Sequence, residues 1–158
     1  MTNSFVVKPI IVYDNADTAK VDIFADNRNK SGVYRWINKV NGNTYVGSSI
    51  NLSVRFYTYY SLASLVSSKR PIDRALLKHG FSNFKLEILE YCEISQALVR
   101  EQYYMDNLKP SYNTAKVAGS TLGYKHTPEA ITKMRAVVLS EEVKARKALS
   151  CFFLFFFF

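Results

Sequence analysis

The feature that most constrains the fold of this chain is the dipeptide Asn41-Gly42, which lies between two runs of strand-forming residues. Residues 32–40 are rich in β-branched and aromatic side chains, and residues 44–48 return to the same character. Because asparagine and glycine both tolerate positive φ, this dipeptide favours the type I′ turn of a two-residue β-hairpin. The sequence therefore predicts two antiparallel strands joined by a tight turn.

A two-residue turn also predicts which side chains share a face of the hairpin. In that register Tyr34 pairs with Ser49 and Tyr45 pairs with Asn38, whereas a longer turn would shift both pairings. Side chains alternate along a strand, so Tyr34 and Tyr45 are expected on one face. The opposite face then carries apolar side chains, namely Val33, Ile37 and Val46.

Beyond the hairpin, the signals predict three helices and one strand. These are a helix from an Asn51 cap to about Ala63 or beyond, a helix over 71–80, a strand over 84–90, and a helix from a Ser95 cap to Leu108. The predicted fold class is α+β: a small three-stranded antiparallel sheet flanked by helices, followed by a basic helical C-terminal arm.

Glu101 occupies an unusual position in the last predicted helix. It lies within the inward-facing stripe formed by Ala97, Leu98, Tyr104, Met105 and Leu108. A carboxylate in that stripe is costly to bury unless a positive charge meets it. Three environments remain open for Glu101: an ion pair with Arg55, a divalent metal ion, or the edge of the stripe, from which it reaches water.

Composition restricts the classes of protein to which the chain belongs. Its 158 residues include 21 Lys and Arg against 13 Asp and Glu, and the net charge of +8 favours phosphate-rich partners. Two cysteines exclude a disulfide framework and a Cys-rich zinc site. The longest apolar run, residues 151–158, is far shorter than a membrane span of about 20 residues, and the N-terminus lacks the features of a secretory signal. We therefore expect no membrane partner.

Charge and composition divide the chain into four segments. Residues 1–30, with four basic and four acidic residues, form an N-terminal extension, and residues 31–113 hold the predicted α+β domain. Residues 114–150 carry seven basic and three acidic residues in a linker followed by capped basic helices. Residues 151–158 are a low-complexity Phe-rich tail, for which we expect a truncated or shifted reading frame.

The two strands of the hairpin carry the tripeptides Gly32-Val33-Tyr34 and Tyr45-Val46-Gly47. Four polar residues follow them in order, namely Arg55, Tyr59, Glu101 and Asn113. Arg55, the first of the four, lies ten positions after Tyr45. This ordered pattern resembles the signature of the GIY-YIG nuclease family, and within that family the intron-encoded homing endonucleases of fungal mitochondria. The resemblance covers residues 31–113, about half of the chain.

The resemblance implies hydrolysis of a DNA phosphodiester with one divalent metal ion. Glu101 would ligate Mg²⁺, for which Mn²⁺ is a substitute, because this hard cation prefers oxygen ligands. The metal ion would stabilise charge on the scissile phosphate and on the leaving oxygen. Arg55 would neutralise the charge that develops on the phosphate.

The other matched side chains have supporting roles in this resemblance. Tyr34 would assist deprotonation of the attacking water, which requires nearby cations to lower the pKa of a phenol from its ordinary value near 10. Tyr45 would orient water or phosphate, and Tyr59 would form a hydrogen bond with either. Asn113 would brace the site through its amide.

The basic segment after the predicted domain resembles the short modular DNA-binding repeats that are attached to homing nucleases. The stretch 119–135 contains a capped helical start, and a similar theme recurs thirteen residues later. Its basic side chains are predicted to contact DNA phosphates, namely Lys125, His126, Lys133, Arg135, Lys144, Arg146 and Lys147. Such contacts supply affinity but little sequence discrimination.

Together, these features predict a metal-dependent endonuclease that hydrolyses double-stranded DNA and is encoded by an intron. A monomer is favoured, but the sequence leaves the oligomeric state of the protein open. Its expected location is the mitochondrion, which rests on the resemblance alone. Two alternatives remain open. One is a nucleic-acid binding protein that aids intron splicing without cleavage, and the other is a degenerate nuclease remnant.

Overall fold

Four strands form one antiparallel sheet in the order β1-β4-β2-β3, in a computed structural model that describes residues 6–119. The strands are β1 (Ile11–Tyr13), β2 (Gly32–Asn38), β3 (Thr44–Ser49) and β4 (Phe84–Tyr91). The α-helices of this described segment are α1 (Lys20–Asp26), α2 (Leu52–Tyr60), α3 (Leu62–Ser67), α4 (Pro71–His79) and α5 (Ala97–Leu108).

The sheet has four strands rather than the predicted three, because the N-terminal segment adds β1 to the edge of β4. Ile11 pairs with Ile88, and Tyr13 pairs with Leu86. A strand of three residues is too short to show the alternation from which strands are predicted, and it forms here because β4 offers a backbone edge. The predicted basic helical arm beyond residue 119 lies outside the described residues, as does the Phe-rich tail.

The predicted hairpin joins β2 to β3, but its turn is longer than two residues. Tyr34 pairs with Gly47 and Trp36 pairs with Tyr45, so the expected register is wrong by two positions. An even shift preserves the faces of a strand. The rings of Tyr34 and Tyr45 accordingly lie 6.3 Å apart on one face, as predicted, and Val33 is buried on the other.

Asn38 sets the length of this turn. Its backbone N–H donates to the carbonyl of Asn43 at 2.9 Å, and its carbonyl accepts from the N–H of Gly42 at 2.8 Å. Its side-chain oxygen accepts from the N–H of Val40 at 2.9 Å. Gly42 has a φ of 73°. The positive φ expected of an Asn-Gly dipeptide is therefore present, but within a wider loop.

Two helix predictions need correction at their ends. Asn51 caps α2 as predicted. That helix stops before Ser61, which takes an extended backbone conformation and caps the separate helix α3 with its side chain. A short 3-10 turn precedes α5, so Gln96 rather than Ser95 stands at the N-cap position of that helix.

The remaining predicted elements are confirmed. The helix predicted over 71–80 and the strand predicted over 84–90 are present as α4 and β4. Gly80, with a φ of 75°, ends α4. α5 ends at Leu108, after which Lys109 takes a left-handed φ of 46°. Among the described residues, no helix has the length and apolar character needed to cross a membrane.

The sheet separates two hydrophobic cores. Helices α1 to α4 cover its aromatic face, which is defined by Tyr34, Trp36 and Phe84. Helix α5 covers the opposite face, called here the α5 face, which is defined by Val33, Val46 and Leu89. Because β3 is an edge strand, side chains from both faces meet around it.

Candidate active site

Tyr34 and Tyr59 form a hydrogen-bonded pair inside the aromatic face. Their hydroxyl oxygens lie 2.9 Å apart, and both side chains are fully buried. Burial is the main cause that raises the pKa of each phenol well above its ordinary value, whereas the charge of Arg55 lowers the pKa of Tyr34. Burial prevails, so both tyrosines hold their protons at neutral pH.

Gly47 of β3 leaves room for the tyrosine rings. A β-carbon at this position would stand 2.7 Å from the hydroxyl oxygen of Tyr34 and 2.9 Å from Cε1 of Tyr45. Side-chain carbons do not approach other heavy atoms that closely. The hydroxyl of Tyr34 therefore lies against a backbone position that has no side chain.

An open cleft of about 510 Å³ lies between β3 and α5. Four of the six predicted catalytic residues line it, namely Tyr45, Arg55, Glu101 and Asn113. Tyr34 and Tyr59 do not line it, because both are enclosed in the aromatic face. The structure thus brings four predicted residues to one surface and keeps the other two in the core next to Tyr45.

Glu101 reaches the cleft from α5. Its Oε2 atom accepts a hydrogen bond of 2.6 Å from the hydroxyl of Ser48. Burial raises the pKa of the Glu101 carboxyl, while the hydrogen bond from Ser48 and the charge of Arg55 oppose that change. Within the described residues it forms no ion pair with Arg55. Leu98, predicted to face inward, is 54% exposed and lines the same cleft.

Asn113 binds the segment after α5 to the edge of β3. Its Oδ1 accepts from the backbone N–H of Val46 at 2.9 Å, and its Nδ2 donates to the carbonyl of the same residue at 2.8 Å. The amide thereby imitates the backbone of a neighbouring strand. The N–H of Tyr112 extends this pairing by donating to the carbonyl of Thr44 at 2.9 Å. This geometry is compatible with the bracing role predicted for Asn113.

The family of the chain follows from one comparison. A family model described as the GIY-YIG catalytic domain matches residues 30–113, more than half of the chain. The chain belongs to the GIY-YIG family. The matched range runs from just before β2 to Asn113 and contains all six predicted catalytic residues.

Curated relatives of this GIY-YIG protein are endonucleases by name. "Probable intron-encoded endonuclease bI1" of Neurospora crassa is 33% identical over 143 residues, which cover 84% of this chain and 32% of that protein. "Probable intron-encoded endonuclease 1" of the same fungus is 31% identical, with coverage of 68% and 37%. "Intron-associated endonuclease 1" of Enterobacteria phage T4 is 28% identical, with coverage of 74% and 49%. The chain thus spans about a third to a half of the length of these relatives.

Two solved structures are also similar to part of the chain. The catalytic domain of homing endonuclease I-TevI has 29% identity and a TM-score of 0.45, and the match covers 54% of this chain and 99% of the solved one. A point mutant of the same catalytic domain has 29% identity and a TM-score of 0.47, with coverage of 56% and 97%.

The donor set of the cleft is compatible with a divalent metal ion. Glu101 is the one carboxylate among the described residues that line the cleft. No group of three or more His, Cys, Asp or Glu side chains between residues 6 and 119 is arranged to hold a metal ion. Mg²⁺ commonly binds one or two carboxylates and takes its other ligands from water and substrate phosphates. A lone, half-buried carboxylate on an open cleft meets that requirement.

Four further polar residues of the cleft were not among the predicted site residues, namely Ser48, Arg70, Tyr112 and Thr114. Arg70 stands three positions before Asp73 at the start of α4. This spacing favours an ion pair, and it was the one feature of the sequence that could have drawn attention to Arg70. Ser48 gave no such signal, because it carries no charge. The basic residues predicted to bind DNA, from Lys125 to Lys147, lie outside the described residues.

Proposed function

We propose that this protein is a metal-dependent endonuclease that hydrolyses phosphodiester bonds of double-stranded DNA. The observation that carries the proposal is the convergence of Tyr45, Arg55, Glu101 and Asn113 on one cleft in a GIY-YIG chain. These side chains come from β3, α2, α5 and the segment after α5. Folding therefore presents a carboxylate, a cation and a phenol together to a phosphate.

Glu101 would hold Mg²⁺, or Mn²⁺ as a substitute, through its carboxylate. When bound, the metal ion supplies stabilisation of negative charge on the phosphate and on the leaving oxygen. The hydroxyl of Ser48 orients the carboxylate by donating to its Oε2 atom. Hydrogen bonds of this kind fix the direction of a metal ligand.

Arg55 is the cation assigned to the scissile phosphate. Its guanidinium forms no ion pair with any carboxylate of the described residues. An arginine guanidinium stays protonated throughout the pH range in which proteins are folded, so Arg55 keeps its positive charge. A guanidinium donates to two phosphate oxygens at once. Arg55 would neutralise the charge that develops as the attacking oxygen approaches phosphorus.

The three tyrosines are assigned different tasks. Tyr45 lines the cleft and would orient the attacking water or the phosphate. The role of Tyr34 in deprotonating that water stays a prediction of the resemblance, because its phenol is buried and its pKa is raised. A water molecule would approach the Tyr34 hydroxyl past Gly47, which has no side chain in the way. Tyr59 would support Tyr34 through their mutual hydrogen bond.

We also propose that the enzyme promotes intron homing, acts as a monomer and is located in the mitochondrion. Relatives named as intron-encoded or intron-associated endonucleases support the first of these proposals. The location rests on the resemblance to mitochondrial homing endonucleases. The basic segment 114–150 would hold the DNA through its phosphates, which fits its surplus of positive charge.

The test is cleavage of a plasmid that carries the intronless junction of the host gene. Nicking and linearisation are measured with Mg²⁺, Mn²⁺ or EDTA, beside a plasmid without the junction. Glu101→Ala is compared with Glu93→Ala, which removes an exposed carboxylate outside the cleft. We expect metal-dependent cutting at the junction that falls about 10³-fold in Glu101→Ala and persists in Glu93→Ala.

Each other outcome would exclude part of the proposal. Cutting of both plasmids would retain the nuclease and exclude specificity for the junction. No cutting by a folded protein that binds DNA would support the non-cleaving splicing aid or the nuclease remnant. Equal losses in the two variants would show that charge or stability, rather than a metal site at Glu101, explains the effect.

A further inference from the structure

A second arginine, Arg70, lines the cleft beside Arg55. It stands directly before α4, which belongs to the aromatic face. The side chain remains 40% exposed although its ion-pair partner Asp73 is 1% exposed. Arg70 lies outside the ordered pattern of residues from which the catalytic site was predicted. It is therefore a cation of the cleft without an assigned role.

Asp73 and Tyr59 fix the guanidinium of Arg70 in place. Its Nε donates to Oδ2 of Asp73 at 2.6 Å, and its Nη2 donates to Oδ1 at 3.0 Å. The hydroxyl of Ser68 donates to the same carboxylate. The guanidinium carbon lies 5.1 Å from the ring centre of Tyr59, a cation–π contact. Because the guanidinium is already held by two hydrogen bonds and by a ring contact, it loses little additional conformational entropy when it binds a ligand.

The ion pair leaves part of the guanidinium available to the cleft. A guanidinium has five N–H donors, and the two bonds to Asp73 use one donor from each of two nitrogens. The remaining donors belong to a side chain that lines the cleft and is partly open to solvent. Phosphate oxygens are suitable acceptors for these donors, because they are anionic and two of them can accept hydrogen bonds from one planar guanidinium.

The charge balance of the cleft also favours an anion. Arg55 and Arg70 both line the cleft, and their positive charges repel each other. Among the described residues that line the cleft, Glu101 is the one carboxylate, and it approaches from the opposite face of the sheet. Arg55 has no ion-pair partner among the described residues, so an anion in the cleft is favoured beside it, within reach of the unused N–H donors of Arg70.

We propose that Arg70 is a second phosphate-binding residue, whose unused N–H donors contact a backbone phosphate next to the one bound by Arg55. The proposal rests on the proposed function, since it assigns a position to the DNA strand in the same cleft. Asp73 already offsets most of the charge of Arg70, so Arg70 suits a phosphate whose charge does not change during the reaction. Arg55, which has no such partner among the described residues, suits the scissile phosphate.

The test compares Arg70→Ala with Arg74→Ala in the full chain. Arg74 carries the same charge one turn further along α4, is exposed, and does not line the cleft. Binding of a short labelled DNA duplex of fixed sequence is measured in EDTA, and single-turnover nicking of the junction plasmid is measured with Mg²⁺. We expect Arg70→Ala to weaken binding about 10- to 100-fold and Arg74→Ala less than about 3-fold. The maximal nicking rate of Arg70→Ala should change less than its binding.

A second variant protects the test from loss of folding. Arg70→Ala leaves the carboxylate of Asp73 buried without its partner, which destabilises a fold. The double variant Arg70→Leu with Asp73→Leu removes both charges, so no unpaired carboxylate remains. It should unfold at a temperature close to that of the wild type and bind DNA as weakly as Arg70→Ala.

Three results would overturn the proposal: equal binding losses in Arg70→Ala and Arg74→Ala, wild-type binding by the double variant, or a loss confined to the maximal nicking rate. The last result would place Arg70 at the scissile phosphate instead. The binding assay in EDTA is independent of cleavage. A protein that binds the duplex through Arg70 but never nicks DNA would therefore contradict the proposed endonuclease and retain the phosphate site.

Discussion

The two faces of the sheet are stabilised by different kinds of contact. On the aromatic face, rings meet edge to face, as Trp36 and Tyr59 do with their centres 5.5 Å apart. The α5 face adds ion pairs to an aliphatic core. Glu87, which is 3% exposed, lies 2.5 Å from Arg35 and 3.0 Å from Lys85. The aromatic face therefore depends mainly on ring packing, with the Arg70–Asp73 ion pair beside it, and the α5 face depends partly on the paired charges of Glu87.

The cleft takes its cations from one face and its carboxylate from the other. Arg55 and Arg70 stand on or beside helices that pack on the aromatic face, whereas Glu101 stands on α5. These groups meet at β3 because this strand lies at the edge of the sheet, where side chains from both faces can reach the same surface. Two separate cores thus position opposite charges of one site. Damage to one core should disturb one half of the site before the other.

The largest effect is expected from removal of Trp36, which is fully buried against the rings of Tyr59 and Phe84. Trp36→Ala should lower the free energy of unfolding by about 3–5 kcal/mol, because a packed ring cluster cannot close the cavity. Leu89→Ala on the α5 face should lower it by about 2–3 kcal/mol. Urea unfolding measures both values. A larger loss for Leu89→Ala would show that the α5 face carries more of the stability.

The next effect concerns Gly47, at the boundary between the aromatic face and the cleft. Gly47→Ala should reduce DNA cleavage about 100-fold, because the new methyl group displaces the rings of Tyr34 and Tyr45. The matched control is Gly42→Ala in the same hairpin. Gly42 has a positive φ, so its substitution strains the backbone, but no atom lies within 4 Å of the added carbon.

Cleavage rates and thermal unfolding of the two glycine variants separate these effects. Gly42→Ala should lower stability by about 1–2 kcal/mol, because alanine is strained at positive φ, and it should retain cleavage. Gly47→Ala should lose cleavage at a temperature where it remains folded. If Gly47→Ala cleaves DNA like the wild type, the tyrosine rings are not held in a catalytic arrangement by this glycine.

The faces of the hairpin were predictable from the sequence, whereas its turn was not. Alternation decides that Tyr34 and Tyr45 share a face, and the error of two positions left that result intact. The length of the turn depends on the hydrogen bonds of Asn38 to its neighbours, which no periodic pattern reveals. β1 was missed for a similar reason, because it depends on the edge of β4 and not on its own residues.

The resemblance to the GIY-YIG family named the residues of the candidate site, but it gave no information on their environments. The positions of Glu101 and Arg55 in the sequence left a direct ion pair open, and the structure instead pairs Glu101 with Ser48. Spacing also gave no indication that Tyr34 would be enclosed in the core. The place of Arg70 in the cleft depends on its ion pair with Asp73, a contact formed at the start of α4.

Alkaline unfolding should reveal the enclosed phenols of the aromatic face. Burial raises the pKa of Tyr34 and of Tyr59, so above about pH 10 the unfolded chain releases protons that the folded chain retains. The unfolded state then binds fewer protons, and the free energy of unfolding falls as pH rises. Each such phenol contributes up to about 1.4 kcal/mol per pH unit, and its stabilisation is present in full below pH 10.

Urea unfolding between about pH 9 and pH 11 measures this dependence. Tyr34→Phe should show a shallower fall than the wild type, because phenylalanine has no proton to lose. Tyr57→Phe, an exposed tyrosine on the same helix as Tyr59, controls for the substitution itself. Equal slopes for Tyr34→Phe and the wild type would contradict an enclosed, protonated Tyr34.

The smallest effect is expected where the N-terminal segment joins the aromatic face. The hydroxyl of Tyr13 donates to Asp26 at 2.9 Å and accepts from the side chain of Asn27 at 3.1 Å. Tyr13→Phe should lower the free energy of unfolding by only about 0.5–1 kcal/mol, since water replaces the bond to the exposed Asp26.

Asn27→Ala provides the contrast for this last prediction. Asn27 is fully buried, and its amide also donates to the carbonyl of Ile23 at 2.8 Å and accepts from the hydroxyl of Tyr91 at 3.0 Å. Its loss removes bonds to three elements and should cost about 2–3 kcal/mol. Urea unfolding of both single variants and the double variant measures the coupling between Tyr13 and Asn27. If Tyr13→Phe costs as much as Asn27→Ala, the N-terminal segment is held by the Tyr13 hydroxyl and not by the amide that joins α1, β1 and β4.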